Sequence, residues 1–472
     1  MPPHETGNSA VTRSFVGLGL GEGVARVIAF GTTLIIARRA GAEGLGVVSF
    51  AFAILLYLQR FVDAGIDLGI GIREAASRKE ELGRFVPPVL TLRLAIAGVV
   101  LALVAMTFVL LPSLEARMVA LYAVSLVPLA LGTRWVLISL GATRDVGFAR
   151  AIGELVVLVA VTLAVVNGAE IWRVPVAQLL GDTVAVTLLL LALRRLGVHI
   201  RLRWDTGTIR PLVRHVAPYV GSALLGLAIF NSDLIFLRAF TDRTIVGLYA
   251  SAYALISFLI NVGATYALSL IPSLTRTAND PSRQQELYDT SWARAVAVLA
   301  PVTVGGIMIA ADALTLVFGT EFSPAGTVLA VLMLSVPLSI LRSLSTSSLI
   351  ARGREDLVLR TVIIAASVNV ALNVIAVPMF GMMGAAIATV ATELLRLIIT
   401  QRSASQLGTP PPQARRYAKA LFAAAVMAGV LALGPARIPL LAILLGGVVY
   451  GVALRAMGGI GRDAEGRLQL QV

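Results

Sequence analysis

Arg93, Arg134 and Arg342 each stand inside an apolar stretch with no acid three or four residues away. A guanidinium so placed either reaches back along its own stem to polar headgroups or receives an anion. Its planar fork matches phosphate oxygens two at a time. Arg134 and Arg342 follow Pro128 and Pro337 by six and five residues, so they read as a matched set suited to an anion. Other charges have a neighbour at helical spacing: Glu22 with Arg26, Arg60 with Asp63 and Asp67, and Glu393 with Arg396. Pairs of this kind neutralise each other on one helix face. Asp233 is different again, set among Phe, Leu and Ile in FNSDLIFLRAF between Asn231 and Arg238. It is expected to face a cavity or an arginine from the other half of the chain. Arg26, Arg60, Arg93, Arg134, Asp233 and Arg342 are thus the candidate binding residues, and Glu22, Asp63 and Asp233 the candidates for coupling to an ion, Na+ or H+. Asn369 and Asn373, four apart, form a polar stripe suited to hydrogen bonding between helices.

These charges matter because of the solvent around them. Of 472 residues, 57% are hydrophobic and 14% charged, and mean hydropathy is +0.88. Soluble domains carry roughly 25% charge. Apolar runs of about 20 residues, enough to cross about 30 Å of hydrocarbon, recur along the whole length. The fold class is therefore all-α and polytopic in a membrane, and a charged group within a span is a functional candidate by default. The absence of cysteine excludes disulfides, thiolate metal sites and a cysteine nucleophile. His4, His199 and His215 show no metal-ligand spacing, and no resident cofactor is expected.

The periodicity predicts about fourteen helices, roughly 14–37, 45–70, 85–111, 117–140, 148–167, 172–194, 213–239, 245–272, 290–318, 324–350, 357–379, 381–400, 416–434 and 438–457. The first dozen residues and the tail after Arg455 read as disordered. The net charge of +13 is unevenly spread. Alternate loops hold Arg73, Arg78, Lys79 and Arg84; Arg144 and Arg150; six arginines from Arg194 to Arg214; and further clusters around Arg276, Arg352 and Arg415. The opposite loops hold only Arg38, Arg39, Arg117, Arg173, Arg238, Arg243 and Arg437. This is the positive-inside pattern. It places both termini in the cytoplasm and explains the basic excess as topology, without nucleic acid. The longest connection, VHIRLRWDTGTIRPLVRH, alternates apolar and basic residues and suits either an anionic membrane surface or a solvated linker.

An internal repeat organises the chain. GVVSFAFAIL from Gly46 matches GLYASAYALI from Gly247, and the stretches from Pro128 and Arg144 match those from Pro337 and Arg354, at offsets of 201 to 210 residues. The repeat predicts an N-terminal six-helix lobe over 1–200, a second over 201–406 with a cytoplasmic connection at 201–212, and two additional helices and a tail over 407–472. Parallel repeats of this kind occur in transporters, with substrate held at their interface.

Three segments resemble one family. ARRAGAEGLGVVSFAFAILLYLQRFVDAGIDLGI, SDLIFLRAFTDRTIVGLYASAYAL and NVALNVIAVPMFGMMGAAIATVATE resemble the helix 1–2, 7–8 and 11–12 junctions of Wzx-type polysaccharide-repeat flippases. These belong to the multidrug/oligosaccharidyl-lipid/polysaccharide exporter superfamily. The resemblance implies alternating-access flipping of a polyprenyl-pyrophosphate-linked glycan across a bacterial cytoplasmic (inner) membrane for O-antigen, lipopolysaccharide or other polysaccharide synthesis. It implies the lipid bilayer, a polysaccharide polymerase and glycosyltransferases as partners. A multidrug/cation antiporter of the same fold would want acids in place of these arginines. A lipid-linked peptidoglycan-precursor flippase has a different helix 1–2 junction. A membrane glycosyltransferase, polymerase or ligase would need a sizeable outer loop, and the outer loops here are short.

Overall fold

The computed structural model describes the chain apart from residues 1–6, 64–65, 67–69, 79–80, 167, 214–231, 278–279, 434–438, 463–467 and 471–472. Asp67, Asn231 and most of the expected helix 213–239 therefore lie outside the described residues. The protein is an all-α polytopic membrane protein. Ten helices among the described residues are long and apolar enough to cross a membrane. The chain divides into two compact units, Met1–Leu227 and Ala228–Val472. The connection 201–212 falls in the first unit and the helices after residue 407 fall in the second.

In the first unit the helices are α1 (Gly7–Asp63), α2 (Ile70–Ser77), α3 (Leu82–Leu110), α4 (Leu114–Ala123), α5 (Leu126–Ala130), α6 (Arg134–Ser139), α7 (Thr143–Ala164) and α8 (Arg173–Arg195). The second contains α9 (Ser232–Phe240), α10 (Arg243–Ser269), α11 (Ile271–Arg276), α12 (Pro281–Met308), α13 (Ala310–Val317), α14 (Gly326–Met333), α15 (Ser335–Ala351), α16 (Glu355–Gln406), α17 (Ala418–Leu433) and α18 (Pro439–Ala456). Two of these hold two expected spans each. α1 is interrupted at Gly41 (φ 68°) and α16 at Gly381 (φ 55°), both in left-handed backbone that favours glycine. Eight residues of straight helix would separate Ala376 from Gly384 by about 12 Å. Instead a Cβ on Gly384 would fall 2.1 Å from the Ala376 carbonyl oxygen, so the chain folds back at Gly381.

Three expectations are corrected. The single helix expected over 117–140 is broken into α4, α5 and α6. Pro128, which has no N–H to donate, sits in the middle piece. Residues from Gly7 are helical, where the first dozen residues were expected to be disordered. The tail carries an antiparallel strand pair, Ile460–Arg462 with Leu468–Leu470, in which Gly461 faces Gln469.

The core of the first unit gathers Phe85, Leu90, Trp135, Leu137 and Leu193. Part of the second unit's core joins Ala297, Ala420, Met427 and Tyr450. Many apolar side chains face outward on the spans, among them Val109, Leu163 and Val452, as a hydrocarbon solvent allows. In the connection after α8, Val198 and Ile200 pack against the first core while Leu202 and Trp204 stand exposed. Asp205 accepts from the Gly207 N–H and the Thr208 hydroxyl, and these bonds hold its carboxyl below the usual carboxylate range.

Candidate functional site

Asp233 lies in α9, beside Ser232 at the edge of the described residues. It is 1% exposed. Its Oδ2 accepts from the Tyr249 hydroxyl at 2.7 Å and the Thr389 hydroxyl at 2.7 Å, and its Oδ1 accepts from Asn373 Nδ2 at 2.9 Å. Tyr249 comes from the second turn of α10, which Asp242 caps by accepting from the Ile245 N–H. Asn369 and Asn373 share one face of α16 before its break, and Thr389 and Thr392 lie after it. Ser232 donates to Asn369 Oδ1 at 3.0 Å, and Asn369 Nδ2 donates to Thr392 at 3.2 Å. The asparagine stripe therefore ties α9 to both segments of α16. Of the two expected surroundings, a cavity or an arginine, no arginine is found among the described residues, where neutral donors hold Asp233. Arg238, further along α9, donates to the Thr241 carbonyl.

A second cluster in the same unit is ionic. Arg342 Nε lies 3.0 Å from Glu393 Oε2, and Arg396 Nη1 donates to Glu393 Oε1. Glu393 and Arg396 are buried, while the Arg342 side chain is 12% exposed. The expected Glu393–Arg396 pair is present, with Arg342 added across from α15. Tyr253 stacks on Tyr249 with ring centroids 6.0 Å apart and stands within electrostatic reach of both Asp233 and Glu393.

In the first unit the other two expected pairs are replaced. Glu22 meets Arg134, not Arg26, at 3.1 Å. Asp63 meets Arg93, not Arg60, at 3.3 Å. Neither Arg26 nor Arg60 makes an ion pair among the described residues. Helical spacing allowed the local pairs, but helices packed side by side supplied closer partners. The matched set of arginines is thus divided. Arg93 is 3% exposed and also donates to the carbonyls of Gly132 at 3.0 Å and Leu129 at 3.1 Å. It clasps the break between α5 and α6, where carbonyls lack helical partners. Arg134, the first residue after that break, keeps 47% of its side chain exposed.

Among the buried carboxyls that escaped the reading by type and spacing are Glu154 in α7 and Asp182 in α8. A usable signal was present. Gly21-Glu22, Gly153-Glu154 and Gly181-Asp182 each set an acid directly after a glycine in an apolar run. Gly21 packs against Gly147, and Gly153 against Gly181, at helix crossings too close for a Cβ. Among the described residues no cluster of three or more His, Cys, Asp or Glu could hold a metal ion.

The described residues thus form a multi-pass helical protein with charged side chains buried within its spans. Residues 11–278 match the model of the polysaccharide biosynthesis protein family, and the chain belongs to that family. Two curated relatives come from Haloferax volcanii. The chain is 27% identical over 240 residues to a probable flippase, AglR, covering 48% of this chain and 50% of the relative. It is 24% identical over 201 residues to a probable low-salt glycan biosynthesis flippase, Agl15, covering 42% and 43%. The chain thus spans about half the length of the curated relatives it matches. Among solved structures, the lipid II flippase MurJ in an inward closed conformation aligns with a TM-score of 0.78 at 14% identity, covering 93% of this chain and 98% of that one. An outward-facing multidrug resistance MATE transporter aligns with a TM-score of 0.60 at 17% identity, covering 86% and 97%. At these identities the likeness is one of fold.

Proposed function

We propose that this chain is a flippase. It moves a polyprenyl-pyrophosphate-linked oligosaccharide from the inner to the outer leaflet of a bacterial cytoplasmic membrane, for assembly of a polysaccharide such as an O-antigen. The observation that carries this reading is the Arg342–Glu393–Arg396 triad. Two guanidiniums meet one carboxylate there, and Arg342 is partly exposed. A pyrophosphate is an anion that such forks suit. Arg134, half exposed, and Arg26 and Arg60, which make no ion pair among the described residues, add cationic groups in the first unit. Family membership and the two flippase relatives support the glycan-lipid cargo.

The cycle is alternating access, with both termini in the cytoplasm and polymerase and glycosyltransferases acting on the same glycan. Outward passage of two negative charges down an inside-negative potential is favourable by about 2.3 kcal/mol per charge per 100 mV. Asp233, held by neutral donors, is the group proposed to couple Na+ or H+. Glu22 and Asp63 would take part only as their arginine pairs open.

One observation favours a second reading, a multidrug/cation antiporter: the buried Asp233 carboxyl meets no cationic side chain among the described residues. Proteoliposomes containing the full chain separate the two. The flippase reading expects a fluorescent polyprenyl-pyrophosphate oligosaccharide to become accessible in the opposite leaflet, at a rate reduced by Arg342→Gln. Uptake of a cationic dye with no movement of the glycan lipid would overturn it in favour of the antiporter.

A further inference from the structure

The connection after α8 has no role in the reading above, yet it is tied firmly to the first unit. Residues 198–204 form neither helix nor strand. Val198 and Ile200 pack against the core of Phe85, Leu90, Trp135 and Leu193. The Arg203 N–H donates to Thr91 Oγ1 at 3.1 Å, and that hydroxyl donates in turn to the Pro87 carbonyl at 2.9 Å. Asp205 then accepts from the Gly207 N–H and the Thr208 hydroxyl, and helix resumes over 206–213. The segment is thus fixed on both sides of Leu202 and Trp204.

What it presents outward is apolar and cationic together. Leu202 and Trp204 are each 55% exposed. Arg194, Arg195, Arg201, Arg203 and Arg210 are all exposed, and Asp205 is the one acid between residues 194 and 210. Asp205 lies 3.7 Å from Arg203, whose side chain keeps 65% of its surface exposed. One carboxylate cannot balance five guanidiniums, so the face carries a positive charge that calls for an anion.

Its depth follows from the bond to Thr91. The stretch of α3 from Thr91 to Leu110 is about 30 Å long at 1.5 Å per residue. That equals the thickness of the hydrocarbon layer, so Thr91 stands at the boundary with the headgroups, and Arg203 beside it. An indole is favoured at this level, with its ring in the acyl boundary and its N–H among polar groups. Lipid phosphates at the same level suit the guanidinium fork.

We propose that residues 194–210 are a docking surface for anionic phospholipid headgroups. Leu202 and Trp204 sit at the acyl boundary, and the arginines hold lipid phosphates and answer to the net charge of the leaflet. The first unit is thereby anchored to the membrane surface through the chain that leads out of it, whatever cargo the protein carries.

The test is quenching of Trp204 by brominated lipids in the full-length protein in vesicles. The chain has four tryptophans, so the Trp204 share is the emission lost in Trp204→Phe, an exposed change that leaves the core alone. Brominated phosphatidylglycerol should be preferred over brominated phosphatidylcholine by about fivefold or more, the effect of a single arginine at an anionic surface. The preference should fall as salt rises. Changing Arg194, Arg195, Arg201 and Arg203 together to glutamine should abolish it, and changing them to lysine should keep most of it. Where the glutamine variant fails to fold, salt titration of the unaltered chain decides, and a preference independent of salt overturns the proposal. Equal quenching by the two lipids overturns it as well. Quenching by aqueous acrylamide with none by either lipid makes the segment a solvated linker. Shielding of Trp204 from acrylamide in native membranes that disappears in vesicles of either lipid assigns the surface to a protein partner instead. No arm of this test reads transport, so its outcome is separate from that of the flippase reading.

Discussion

Arg93 Nη2 lies 3.3 Å from Asp63 Oδ1, between α3 and the end of α1, with both side chains buried. The same guanidinium holds the carbonyls of Leu129 and Gly132, so one residue joins three pieces of the first unit. Removing one member of a buried pair strands the other and costs about 3–5 kcal/mol. Arg93→Gln should therefore reduce folded protein in the membrane sharply. Asp63→Asn should cost less, since the carbonyl clasp survives. The double variant should recover part of the loss of Arg93→Gln. Thermal unfolding in detergent measures all three. Normal stability of Arg93→Gln would show that the clasp contributes nothing.

The glycines of α1 separate into two kinds. A Cβ on Gly21 would stand 2.3 Å from Gly147 Cα, which is backbone and cannot swing aside, whereas Gly19 and Gly23 have open space. Gly21→Ala should destabilise by about 1–3 kcal/mol through overpacking. Gly23→Ala should be neutral or stabilising by up to about 1 kcal/mol, from helix propensity. Equal melting temperatures for the two variants would remove the crossing from the account.

This contrast shows what was legible in the chain. Apolar period pointed to the all-helical membrane class, and the expected boundary between the helices 357–379 and 381–400 anticipated the break at Gly381. Charge identity also marked Arg134, Arg342 and Asp233 as buried or half-buried groups. Their partners were not legible, because Glu22 is 112 residues from Arg134 and Glu393 is 51 from Arg342. Rules for charges three or four apart see only one helix, whereas these bonds cross between helices. Tyr249 and Thr389, which complete the Asp233 site, looked like ordinary span residues until the fold at Gly381 brought them together.

The naturally cysteine-free chain makes topology directly testable. A single cysteine at Trp204, exposed in the connection after α8, should resist an impermeant reagent added outside intact cells and react after lysis. One at Ser282, beyond the Asp280 cap of α12, should behave in the same way. A cysteine at Ser113, between α3 and α4, should react from outside. The opposite pattern would invert the orientation that loop charge predicts.

Asp233→Asn is the informative change at the neutral-donor site. Asn keeps one carbonyl oxygen for Tyr249 and Thr389 while removing the charge, so insertion and folding should persist. Under the proposed coupling role, imposed ion gradients should no longer accelerate flipping, while slow downhill movement continues. Asp233→Ala is a poorer probe, since it removes the acceptor shared by three buried donors, at a cost of about 1–3 kcal/mol. An unchanged response to both Na+ and pH gradients in Asp233→Asn would make this residue a structural hub only.

Arg342 and Arg134 test the anion directly. Arg342→Gln leaves Glu393 bound by Arg396, so no buried acid is stranded and folded protein should accumulate normally. Arg134→Gln frees Glu22, whose side chain is 25% exposed, at modest cost to stability. A charge-assisted contact to phosphate is worth about 1.5–3 kcal/mol, so each change should slow flipping by about ten- to a hundredfold. Lysine should restore only part of the rate, because it supplies charge without the fork. A residue that merely reached the headgroups would accept lysine fully. The comparison is glycan export by each variant, normalised to protein in the membrane. Full export by both glutamine variants would exclude these two arginines from the cargo site.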